Sequence, residues 1–150
     1  MDLVSLLTNQ PLIAAMIAGF IAQIVKMPVH YFFRKKWDWS LLLRVGGMPS
    51  SHSAMVAAVT HSLGLNYGFG SPIFAASAVL ATIVIYDATG IRRQAGKHAE
   101  IINRMITELA GGHPLKQEQL REVLGHTPIE AFVGMVMGIV VAHILWLYWR

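Results

Sequence analysis

Cysteine is absent from the sequence, which excludes disulfide staples, thiolate metal sites and a cysteine nucleophile. Charge is scarce as well: Asp, Glu, Lys and Arg make up 13% of the chain, against about 25% in a typical soluble domain. The amino terminus, MDLVSLLTNQPLIAAMIAGF, lacks a basic start and a small-residue cleavage site ahead of polar sequence, so a removed signal peptide is not expected. No internal repeat or low-complexity tract stands out. What is present is apolar. Of the 150 residues, 55% are hydrophobic, and the mean hydropathy is positive. These residues gather in a few long blocks, the pattern of membrane spans around one bundle rather than of a soluble core. The expected fold is a single all-α, polytopic membrane helical bundle over residues 1–150, with about four transmembrane helices plus an amphipathic surface helix.

The spans are expected from about Pro11 to Val25, Ser53 to Tyr67, Pro72 to Tyr86 and Pro128 to Trp149, the last ending in the aromatics Trp146, Tyr148 and Trp149. Residues 66–71 form an uncharged turn between the two short central spans. Lys26, Arg34, Lys35, Lys36 and Arg44 follow the first span, and Arg92, Arg93, Lys97, Arg104, Lys116 and Arg121 follow the third. The positive-inside rule places both connections, and any site built on them, on the cytoplasmic face of the cell membrane. Ile101, Ile102, Met105, Ile106 and Leu109 recur at helical spacing opposite Glu100, Asn103, Arg104 and Glu108, which predicts the surface helix. Gly111-Gly112-His113-Pro114 ends it, and a second short helix is expected around Gln117 to Leu124. Gly134 and Gly138 form a GxxxG pair that permits close helix contact, within the monomer or across a homodimer.

Three clusters could carry chemistry. Gly46-Gly47-Met48-Pro49-Ser50-Ser51-His52-Ser53 places glycines, hydroxyls and a histidine just before a membrane helix, where free N–H groups and short Ser50 and Ser51 side chains can cradle a phosphate. His52 would then protonate a leaving oxygen. The simpler alternative is that one of the serines caps the helix. Leu124-Gly125-His126-Thr127-Pro128-Ile129-Glu130 sets a second histidine before another helix start on the same predicted side. Thr127 at the N-cap with Glu130 three residues on makes a capping box, which explains both residues without chemistry but leaves His126 unexplained. A neutral imidazole beside the positive end of a helix is a competent nucleophile toward phosphorus. In the third cluster Asp87 ends an apolar span and Arg92, Arg93 and Lys97 follow, so Asp87 could orient an imidazole or pair with an arginine while the cations grip phosphate. Lys26 is a phosphate ligand or a snorkelling anchor. His30, His61, His98, His113 and His143 have no comparable setting and read as structural or solvated.

Pro49-Ser50-Ser51-His52-Ser53 resembles the PSGHS motif of the type 2 phosphatidic acid phosphatases and vanadium haloperoxidases. The stretches GGMPSSHSA, YDATGIRRQAGKHA and LREVLGHTPIEAFVG resemble more closely their divergent PAP2 branch of small membrane proteins, over about residues 10 to 148. The resemblance implies a metal-independent reaction without a cofactor. In it His126 attacks phosphorus, His52 protonates the leaving alcohol, a carboxylate (Glu130, with Asp87 as rival) orients the nucleophile, and Arg121, Lys26 and Arg34 hold the phosphate. Ser51 stands where the superfamily has Gly, Glu130 where it has Asp, Arg121 is one residue closer to its histidine, and no Arg-Pro pair follows Lys26.

The expected function is therefore a lipid phosphatase that removes phosphate from a phosphomonoester of the phosphatidic acid, phosphatidylglycerophosphate or polyprenyl phosphate type through a phosphohistidine. Its expected partners are that lipid substrate and the surrounding membrane lipids, with no metal and no nucleic acid. The rival reading is a scaffold whose basic face holds anionic headgroups without catalysis.

Overall fold

A computed structural model describes residues 3–42, 46–109 and 125–149. The helices are α1 (Leu3–Leu7), α2 (Gln10–Arg34), α3 (Ser51–Tyr67), α4 (Pro72–Thr89), α5 (Ile91–Leu109) and α6 (Pro128–Trp149), with a 3-10 turn at Trp39–Leu42. The described residues contain no strand, so the all-α bundle is as expected. α2, α6 and the stretch Pro72–Thr107 are long and apolar enough to cross a membrane. The fourth expected span, α3, has 17 residues and lies at the centre, packed on α2, α4 and α6.

Small residues let these helices approach. The buried core consists of Ala14, Ala18 and Ala22 on α2, Ala54 and Ala58 on α3 and Ala142 on α6, while Phe20, Leu80 and Phe132 point outward. This inverts a soluble protein's distribution, as expected where lipid is the solvent and backbone proximity replaces hydrophobic burial as the packing force. Gly134 and Gly138 face α3 so closely that a Cβ on either would collide with the carbonyl oxygens of Ser50 and Ala54 respectively. The GxxxG pair is thus consumed inside the monomer.

Two boundaries differ from expectation. α2 does not stop near Val25 but runs through Pro28 to Arg34, where Lys35 at φ 55° caps it and donates its N–H to the Tyr31 carbonyl at 2.8 Å. Pro28 is exposed, and its ring removes only one helical donor; the loss does not outweigh continued packing of the helix. α4 and α5 are separated only by Gly90, so the amphipathic helix starts well before its apolar repeat. The helix expected around Gln117 to Leu124 lies outside the described residues.

Candidate active site

Four helix ends meet at one pole of the bundle: the carboxyl ends of α2 and α4 and the amino ends of α3 and α6. Hydrogen bonds tie them together. The Ser50 N–H donates to the Glu130 carbonyl at 3.0 Å, and the His126 N–H donates to the Ala88 carbonyl at 3.0 Å. The two helix starts expected to converge are therefore joined through their backbones.

The α6 start is built as a capping box. Glu130 N–H donates to Thr127 Oγ1 at 3.3 Å, and Thr127 N–H donates to Glu130 Oε2 at 3.0 Å. The same carboxylate oxygen lies 3.3 Å from His126 Nδ1. A carboxylate only accepts, so the proton of this contact sits on Nδ1 and the neutral ring keeps its lone pair on Nε2. His126 is 3% exposed, and its Nε2 has no hydrogen-bond partner. An oriented imidazole nitrogen with an unpartnered lone pair has the electronic arrangement of a nucleophile, here covered by its neighbours.

Beside this pair a cleft of about 510 Å³ opens between α2 and α6, lined by Lys26, His30, Arg34, Gly47, Thr127 and Glu130 among others. Lys26 is 3% exposed and donates from Nζ to Gln23 Oε1 at 2.7 Å; Gln23 Nε2 in turn donates to the Leu41 carbonyl at 3.0 Å. The Lys26 ammonium and the Glu130 carboxylate act on each other electrostatically. Gly46 and Gly47, at φ 108° and 81°, hold the chain in a region that side chains disfavour and bring it past the cleft. Val29, Phe33, Met48 and Ile129 supply an apolar wall, so the site is amphipathic. Among the described residues, no group of three or more His, Asp or Glu side chains is placed to share a metal ion.

The remaining sequence candidates are dispersed around this centre. Ser50 is fully buried as the α3 cap, its Oγ accepting from Ser53 N–H at 3.3 Å and from Ser53 Oγ at 3.1 Å. With its own N–H given to Glu130, Ser50 already has partners for the groups expected to cradle phosphate. Ser51 is half-buried and His52 exposed in the first turn of α3, and His52 does not line the cleft. Asp87 lies in the last turns of α4, next to the Ala88 that holds His126, and Arg93 and Lys97 are on α5. Arg121 and the Arg92 side chain lie outside the described residues. His30 is the residue that the sequence reading missed. Lys26, His30 and Arg34 follow at intervals of four, a single helical stripe, but the stripe exists only if the helix continues past Pro28.

A family model described as "Divergent PAP2 family" matches residues 7–141. The chain belongs to that family. A relative from Bacillus subtilis (strain 168), named "Uncharacterized membrane protein YuiD", is 41% identical over 151 residues, covering 93% of this chain and 96% of its own length. The family match agrees with a phosphatase-related membrane protein, and the relative's name with a membrane protein. No solved structure matches this divergent PAP2 chain.

Proposed function

We propose that the protein is a membrane phosphatase that hydrolyses a lipid phosphomonoester without metal, through a phosphohistidine on His126. The observation that carries this reading is the Glu130–His126 contact, which leaves a buried lone pair on Nε2 while Glu130 itself lines the cationic cleft. Nε2 attacks phosphorus, the P–O bond to the lipid breaks, and the departing oxygen takes a proton from a second imidazole. Water then attacks the phosphohistidine, giving up its proton to that same imidazole and restoring Nε2 as inorganic phosphate leaves. Lys26 and Arg34 neutralise the phosphoryl oxygens, and the apolar wall accommodates the lipid portion. Because Nε2 is enclosed, substrate must displace what covers it.

We assign the proton to His52, the position the family resemblance indicates. His30 is the second candidate because it lines the cleft and its Nδ1 lies 3.1 Å from the Lys36 carbonyl, which orients the ring. The basic connections favour a cytoplasmic active face.

The test is phosphate release by purified protein in detergent with EDTA, from phosphatidic acid, phosphatidylglycerophosphate and undecaprenyl phosphate. Turnover that vanadate inhibits and His126→Ala abolishes supports the proposal. Inactivity of the wild type on all three lipids, with binding of anionic headgroups intact, supports the scaffold instead.

A further inference from the structure

The opposite pole of the bundle holds a second polar site. Gln10 opens α2 and is 6% exposed; Ser62, on α3, is fully buried. Ser62 Oγ donates to Gln10 Oε1, and Asn66 Nδ2 donates to Gln10 Oε1 at 2.6 Å and to the Ser62 carbonyl at 2.8 Å. The Ser62 carbonyl can only accept, so the Asn66 atom facing it is nitrogen, and the Gln10 atom facing that nitrogen is oxygen. The amide of Gln10 is thereby fixed, and its Nε2 is turned away from the network. That Nε2 is buried and without a partner.

An interhelical clamp between α2 and α3 explains the oxygen of Gln10 but not this stranded donor. Gln10 and Asn66 border a pocket of about 380 Å³ whose wall also includes Thr8, Asn9, Tyr67 and Trp149. The wall presents hydroxyls, amides and two aromatic rings, and none of its described residues is charged. A phosphate or carboxylate would find no counter-charge there. An uncharged group rich in hydroxyls would find hydroxyls, amides and ring faces together, and would reach the covered Gln10 Nε2 by displacing what encloses it.

We infer that this pole carries a binding site for an uncharged polyhydroxylated group, a sugar or similar polyol, whose hydroxyl satisfies Gln10 Nε2. The group can reach it as a glycolipid headgroup or as a free sugar. The site is independent of the proposed phosphatase chemistry.

The test uses the full chain in phosphatidylcholine nanodiscs. One arm adds monoglucosyl diacylglycerol against plain diacylglycerol and counts retained lipid by native mass spectrometry. The other adds glucose and reads saturation transfer by NMR. We expect sugar-dependent binding in at least one arm, reduced about fivefold by Gln10→Met through loss of one hydrogen bond. Trp149→Ala, outside the buried network, should reduce it as well and keeps the test decisive if Gln10→Met does not fold. Retention in the lipid arm alone assigns the headgroup, and a response to glucose assigns the free sugar. No preference for sugar in either arm, or unaltered binding in the folded variants, overturns the inference and leaves Gln10 Nε2 to water.

Discussion

Glu130 Oε2 lies 3.3 Å from His126 Nδ1, and that oxygen also accepts the Thr127 N–H at 3.0 Å. One atom therefore both starts helix α6 and sets the tautomer of the imidazole before it. The sequence presents these as competing explanations of Glu130; the structure makes them a single device.

The two roles separate by substitution. Glu130→Gln can place an amide oxygen at that shared position and keep both contacts, but it loses the negative charge that would stabilise the cationic ring formed when Nε2 attacks phosphorus. Phosphate release should fall on the order of a hundredfold or more, with the melting temperature nearly unchanged. Glu130→Ala should lose activity and also about 1 kcal/mol of cap stability, read as a lower melting temperature in detergent.

Gly134→Ala and Gly138→Ala push a methyl group into the backbone of α3 at Ser50 and Ala54. Each should destabilise the bundle by about 1–3 kcal/mol. Gly134→Ala should in addition reduce activity in the surviving folded fraction, because Ser50 donates to the Glu130 carbonyl. Thermal unfolding measured beside turnover per folded molecule checks both.

In the proposed reaction, the imidazole that protonates the leaving group can be identified by chemistry. Its alanine variant should lose far more activity on an alkyl phosphomonoester than on p-nitrophenyl phosphate, whose phenolate departs without a proton. We expect this signature from His52→Ala. Finding it in His30→Ala instead would move the role to α2.

Orientation is checked with single cysteines at Gly68 and Arg104, available because the chain has none of its own. A membrane-impermeant maleimide applied to intact cells should label position 68 and not position 104. The reverse pattern would put the active face outside.

Both candidate poles were partly legible. A cap at Ser50 or Ser51, Thr127 as a cap, Glu130 as the capping-box acid and the turn at residues 66–71 follow from interactions within a few residues, which spacing exposes, and the structure settles the first on Ser50. His30 and the full length of α2 were hidden because a proline normally argues for a helix end, and only packing of the flanking turns keeps this one helical. Gln10 and Ser62 gave no signal and Asn66 read only as part of a turn, since amides and hydroxyls at wide sequence separation are indistinguishable from surface polarity until α2 and α3 are brought together.

The amino-acid sequence alone determined that this protein is a helical membrane bundle with most of its cations beyond the apolar stretches of the first and third spans and with two histidines set at helix starts. Hydropathy, capping and charge bias act over a turn or a span, so they can be read locally. Which imidazole nitrogen is left without a proton, which cations line the neighbouring cleft and which amide is stranded at the far pole were decided only by the tertiary structure. Those outcomes depend on how closely Gly134, Gly138 and the alanines of α2 and α3 allow backbones to approach, and that distance is a property of the assembled helices.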